Sequence, residues 1–341
     1  MSVVLDFAGR SGVVLVRLPN WLGDTVMALP ALHGLRAARP RASVIAVGRW
    51  ASLLAGQGVA DALVHYPRER GRCRRLDASL KDLRADAAIL FPNSFGSALS
   101  AWRWGAGLRL GYDADARRVF LTHAVPLPSP RAHQIDEYRE LVEAAGVTVA
   151  AAEPAWRLGA DPEADASLHA LLEERSILAD SPVVGLHLGA SFGSSKLWPA
   201  TAYAELAHRL RDRGLQPLCL GSPDDADLAG AVSRAAGSAV PSLLGQEGLD
   251  RLPRLLARLA CLVSSDTGVA HLAAAVGTPT VTLFGPTDPR LTAPRSRAAR
   301  RVEGRAPCAP CFLKRCPIDH VCMRNITAAS VASAVEESRA A

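Results

Sequence analysis

No stretch of the 341-residue chain reaches the roughly 18 consecutive apolar residues that a membrane-spanning helix needs. The opening residues, MSVVLDFAGR, lack a basic start and a long apolar core, so no secretory signal is expected. The fingerprint G-x-G-x-x-G is missing, which counts against a dinucleotide-dependent dehydrogenase. No phosphate loop of the G-x-x-x-x-G-K-[ST] kind occurs either. There is no short-period repeat and no low-complexity tract. Aromatic residues are scarce, with seven Phe, six Trp and four Tyr, while Ala, Leu, Val and Arg dominate. Such a composition suits α/β domains. Apolar residues make up 49% of the chain, enough for a large core, and the length suits two domains of ordinary size.

The formal net charge is +6. Basic residues run densest at 67–75 (PRERGRCRR) and 294–301 (PRSRAARR). Such runs are either solvated surface or an attraction to phosphates on a small ligand, a membrane surface or nucleic acid. Seven cysteines is an odd number, and with no signal expected they read as mostly reduced thiols of a cytoplasmic protein.

Strand-like apolar runs alternate with helix-like segments, which favours parallel sheets covered on both faces. Val13–Val16, Val44–Val47, Ala62–His65, Ala87–Phe91 and Arg109–Gly111 read as strands. Asp24–Arg39 reads as a helix, with Leu29, Leu32 and Leu35 at helical spacing and Pro30 kinking it or marking where its regular part begins. A second strand–helix series opens at Val183–Leu188. It continues through helix Thr201–Arg213, strand Pro217–Leu220, helix Asp224–Ala236, strand Cys261–Val263, helix Thr267–Val276 and strand Thr280–Leu283. The expected division is a first domain over 1–160, a linker with its own helix over 161–181, and a second domain over 182–341. Ligands of such sheets bind at the carboxyl ends of strands, so a cleft between two doubly wound domains is the expected site.

Four stretches stand out there. NWLGDTVMAL (20–29) puts one carboxylate, Asp24, on the turn after the first strand. It either caps a helix start or serves as a general base on an acceptor hydroxyl. GASFGSSKLWP (189–199) is a small, polar loop after a strand, whose amides suit a phosphate and whose Lys196 adds a positive charge; an ordinary surface loop is the alternative. SSDTGVAH (264–271) follows another strand. The Thr267 and Gly268 amides would form a second anion site at a helix start, and Asp266 would accept from a sugar or ribose hydroxyl. His271 shares their helix face or simply packs. Last, Cys308-x2-Cys311-x4-Cys316-x5-Cys322 fits a structural zinc site, redox-labile or disulfide-forming thiols, or packed free thiols.

Taken together these stretches resemble the glycosyltransferase family that holds the lipopolysaccharide heptosyltransferases, with the closer match to its type II members. The resemblance spans nearly the whole chain. It is carried by LPNWLGDTVMALPAL (18–32), FPNSFGSAL (91–99), RLGYDADARRVFLTH (109–123), HQIDEY (133–138), GASFGSSKLWP, SSDTGVAHLAAAVGTPTVTLFGPTDP (264–289) and CAPCFLKRCPIDHVCM (308–323), in that order. It implies the GT-B fold, two Rossmann-like domains with the acceptor on the first and the nucleotide sugar on the second. It implies transfer of L-glycero-D-manno-heptose from ADP-heptose to lipid A-linked inner core, with inversion and no required metal or other cofactor. Nucleic acid is not an expected partner. The location it implies is the cytoplasm, with peripheral contact at the cytoplasmic face of the inner membrane.

Carried over residue by residue, Asp24 is the general base and Lys196 neutralises the donor diphosphate. Ser194, Ser195, Lys196, Asp266, Thr267, Gly268 and His271 bind the donor. Asp225 or its neighbour Asp224, in GSPDD (221–225), meets the ribose. Asn20, Trp21, Asn93 and Ser94 fall on the acceptor side. Gly96 departs from the pattern, where a basic residue is expected. A single base without a partner acid fits inverting transfer, because a diphosphate leaving group needs positive charge and N–H donors rather than a proton.

Overall fold

A computed structural model describes residues 12–175, 177, 181–246, 248 and 251–341. The chain divides into two compact units, Met1–Pro154 and Ala155–Ala341.

The first unit holds strands β1 (Val13–Arg17), β2 (Ser43–Gly48), β3 (Ala62–His65), β4 (Ala87–Leu90), β5 (Leu108–Asp113) and β6 (His123–Pro126). Its helices are α1 (Leu22–Met27), α2 (Leu29–Ala38), α3 (Arg70–Asp82), α4 (Phe95–Arg103) and α5 (Gln134–Glu143). All strand pairs are parallel, in the order β3-β2-β1-β4-β5-β6. The direction of winding reverses between β1 and β4, so the loops leaving those two strands open onto the crevice where a ligand sits. The central strands are continuous apolar runs because both faces are covered: Leu15, Val16, Val44, Val47, Ala88 and Leu90 are buried. The helix expected over 24–39 is two helices. Their junction is Ala28, and Pro30 stands in the first turn of α2, where its missing N–H costs nothing.

The second unit holds β7 (Val183–His187), β8 (Gln216–Leu220), β9 (Cys261–Ser265), β10 (Thr280–Phe284) and β11 (Ala299–Glu303). Its helices are α6 (Pro162–Glu174), α7 (Ala200–Arg211), α8 (Ala226–Ala235), α9 (Leu252–Arg258), α10 (Gly268–Ala275), α11 (Pro289–Thr292), α12 (Val321–Arg324) and α13 (Ala328–Arg339). This sheet too is parallel throughout, ordered β11-β10-β9-β7-β8, and it reverses between β7 and β9. Helix α6 lies in the segment expected as a linker. It belongs to this unit, because Arg254 of α9 donates to Asp165 at 3.1 Å and to the Gly159 carbonyl at 2.6 Å. Edge strand β11 takes up the end of the basic run 294–301. Its charged, half-exposed residues blunt the open edge, and Arg301 pairs with Glu303 at 2.9 Å. Among the described residues, no helix is long and apolar enough to cross a membrane.

Candidate functional site

In the first unit, Arg17 closes β1 with its side chain buried. It donates to the Leu18 carbonyl at 2.8 Å and to Asn20 Oδ1 at 3.0 Å, and it stacks 4.5 Å over the Tyr66 ring. Burial lowers its pKa. Trp50 Nε1 donates to the Asn20 carbonyl at 3.0 Å, so the loop entering α1 is held from two sides. Trp21 is the N-cap residue of α1 yet contributes no side-chain cap, and its ring is largely exposed. Asp24 lies in the first turn of α1, within the helix rather than at its cap. Its negative charge acts on Tyr138, whose hydroxyl is pushed well up, by burial first and by Asp24 next. Placement in the first turn still gives Asp24 the favourable end of the helix dipole.

The other loop at this reversal leaves β4. Ser94 caps α4 by accepting from the Ser97 amide at 3.3 Å. Asn93 is held from below by Arg117, a fully buried guanidinium that no site motif singled out. Arg117 donates to Asn93 Oδ1 at 3.3 Å, to Ser97 Oγ at 3.0 Å, to the Tyr112 carbonyl at 2.8 Å and to the Pro92 carbonyl. Burial pulls its pKa down to about 10, against the opposing pull of Asp115 and Asp113. An arginine inside ARRVF looks like surface charge in a sequence. Only the fold shows that Gly111, by lacking a side chain, leaves room for it. A Cβ at Gly96 would meet open space, so nothing in the fold of this unit forbids a basic residue there.

In the second unit, the loops leaving β7 and β9 bring four of the expected residues together. Lys196 is not a solvated loop lysine. It is buried and donates to Asp266 Oδ2 at 2.6 Å and to the Asp266 carbonyl at 2.8 Å, with its ammonium 4.7 Å from the Phe192 ring centre. Ser265 donates to the Lys196 carbonyl at 2.6 Å. Thr267 is the N-cap residue of α10 but gives no side-chain cap, and its hydroxyl is bonded to Ser264 Oγ at 2.9 Å. The N-cap side chain therefore does not occupy the first-turn amides of α10, the groups that an anion would meet at a helix start. His271 lies one turn further along α10 and is buried.

Ser194, Ser195 and Lys196 form one turn of 3₁₀ helix. Ser195 is buried and spends both donors on the cysteine-containing segment: its hydroxyl goes to the Leu313 carbonyl at 2.5 Å and its amide to the Lys314 carbonyl at 3.1 Å. Ser194 stays exposed. Gly193, at φ +153°, packs so closely on the Lys314 carbonyl that no Cβ would fit.

Of the two acids in GSPDD, Asp224 is exposed, whereas Asp225 lies over the ends of β7 and β8 in space that Gly189 and Gly221 leave for it. Asp225 Oδ2 accepts from the Ser222 amide and hydroxyl, both at 2.8 Å. Its charge reaches His187 at the end of β7, whose pKa burial nonetheless pulls down to about 4.

Of the three readings open for the four clustered cysteines, the structure shows free thiols. Among the described residues, no group of three or more His, Cys, Asp or Glu is arranged to hold a metal ion. Cys322 is buried beside Met323 in the second unit's core, both against Gly285, while Cys308 is exposed on the preceding segment. Burial, and then the neighbouring Cys308, Cys311 and Cys316, raise the pKa of Cys322.

Two parallel α/β units, the second with a buried lysine beside the start of α10, make up the GT-B class of glycosyltransferase fold. The profile of glycosyltransferase family 9 (heptosyltransferase) matches residues 73–322, and the chain belongs to that family. It is 32% identical over 310 residues to lipopolysaccharide heptosyltransferase 2 of Salmonella typhimurium, covering 84% of this chain and 86% of that one. It is 30% identical to the Escherichia coli protein of that name, with the same two coverages. Among solved structures, E. coli ADP-heptose lipopolysaccharide heptosyltransferase II superposes with a TM-score of 0.79 at 27% identity, covering 96% of this chain and 98% of that one. A family 9 glycosyltransferase from Veillonella parvula shares the fold at a TM-score of 0.83 and 20% identity, covering 99% of each chain.

Proposed function

We propose that the chain transfers L-glycero-D-manno-heptose from ADP-heptose onto the lipid A-linked inner core of lipopolysaccharide, as a type II heptosyltransferase. The observation that carries this reading is the Lys196–Asp266 pair beside the uncapped start of α10, at the reversal point of the second sheet. It stands in a chain similar to heptosyltransferase 2 proteins over most of its length.

The chemistry follows from the donors and acceptors present. Asp24 takes the proton from the acceptor hydroxyl as that oxygen attacks the anomeric carbon. The bond from that carbon to the diphosphate breaks with inversion, and the sugar passes through an oxocarbenium-like transition state. The charge gathering on the departing diphosphate falls to Lys196 and the α10 amides, so no acid is needed. Asp266 offers a carboxylate oxygen to a sugar hydroxyl, and Asp225 accepts from a ribose hydroxyl. Asn20, Trp21, Asn93 and Ser94 serve the acceptor.

Replacement of Asp24 by Ala tests the division of labour. Transfer from ADP-heptose is expected to fall by at least about 10²-fold, the low end for loss of a general base, while ADP still binds. Retained turnover in Asp24→Ala would remove the base assignment.

A further inference from the structure

Asp266 has two oxygens in unequal circumstances. Oδ2 accepts from Lys196 Nζ at 2.6 Å and from the Thr287 hydroxyl at 2.8 Å. Among the described residues, Oδ1 has only the Thr292 hydroxyl at 3.4 Å, too long for a good O–H···O bond, so it keeps accepting capacity. Thr287 is buried in the turn that follows β10. That turn is pinned on both sides of it: the Pro286 carbonyl accepts from the Phe312 amide at 2.8 Å, and Asp288 accepts from the Arg290 amide at 2.9 Å. A hydroxyl on a fixed turn, aimed at one oxygen of a carboxylate, sets the rotation of that carboxylate about a torsion that is otherwise broad.

We propose that Thr287 is a positioning residue for the donor's sugar: it holds Asp266 Oδ2 so that Oδ1 is presented to a sugar hydroxyl. This rests on the donor-site reading above. Lys196 does not depend on Thr287 in the same way, because its ammonium is also held by the Asp266 main-chain carbonyl. Thr287 therefore acts on recognition of the sugar and leaves recognition of the diphosphate alone.

The test compares Thr287→Val, which keeps the shape and removes the hydroxyl, with Thr287→Ser, which restores it. ADP affinity is measured by calorimetry, and kcat/KM is measured with ADP-heptose. Thr287→Val is expected to bind ADP within about twofold of the wild type and to lose about tenfold in kcat/KM, the scale of one hydrogen bond to a charged group. Thr287→Ser is expected to recover to within about threefold of wild type, as the hydroxyl returns to the same carboxylate. An unchanged kcat/KM in Thr287→Val overturns the proposal. So does a parallel loss of ADP binding, or a serine variant that recovers nothing, since either marks a general packing role. Failure of the wild type to bind ADP would instead bring down the donor-site reading, and the proposal with it.

Discussion

Replacing Lys196 by Met removes the cation and keeps the buried methylene stem. What remains is Asp266, 9% exposed, with the Thr287 hydroxyl as its one close side-chain donor. Breaking a buried ion pair from one side costs about 3–5 kcal/mol, because the remaining charge is uncompensated. Thr287 offsets part of this, so a loss of about 3 kcal/mol is expected, at the low end of that range. For a unit of this size that is a fall in Tm of roughly 6–12 °C. The double variant Lys196→Met/Asp266→Asn removes the orphaned charge and should regain most of the loss. Differential scanning calorimetry at neutral pH reads both. A single variant within about 1 kcal/mol of wild type, or a double variant worse than the single, would refute the reasoning, since a pair worth so little behaves as a surface pair.

Arg117→Met removes a buried donor from the Pro92 and Tyr112 carbonyls, of which Pro92 keeps the Ser97 hydroxyl at 3.1 Å, and releases Asn93. Kinetics should show a KM for the acceptor raised by about tenfold or more, the cost of an unmade buried hydrogen bond, with ADP binding to the second unit unchanged. His187 gives an acid limb. Its folded pKa of about 4 lies below the usual value near 6.5. Between those values the unfolded chain binds a proton that the folded chain refuses, so stability falls as pH drops from about 6.5 towards 4, by up to about 3 kcal/mol. His187→Gln should flatten that limb in unfolding curves recorded across pH; an unaltered slope would assign it to other groups.

The strands that build the two sheet centres were legible because they are buried on both faces and so read as plain apolar runs. Edge strands β6 and β11 were not, since β6 is a four-residue, part-exposed run, HAVP, and in β11 charged positions such as Arg300 and Arg301 erase that signal. Helix α3 was hidden for a related reason: its sequence RGRCRRLDASLKD is nearly all polar, and it read only as a basic run. At the candidate site, the loops after β1, β7 and β9 were readable from strand–loop–helix spacing, which is local. Pairings were not, because they join loops far apart in sequence. Lys196 and Asp266 were read as separate devices, yet they are one ion pair spanning 70 positions. Arg117 and Thr287 lie inside motifs that carry the family resemblance, but neither stood out within them, since their importance lies in what they reach. The cysteine spacing left zinc, redox-active and packed thiols open, because burial of Cys322 among core side chains does not show in a spacing.

The most direct test of the donor site is calorimetric binding of ADP, UDP and GDP to the wild type and to Lys196→Met. A heptosyltransferase using ADP-heptose should bind ADP in preference to the other two, and Lys196→Met should lose most of that affinity. Preference for UDP or GDP, or ADP binding that survives Lys196→Met, would leave the fold standing and contradict the assignment of donor and of lysine.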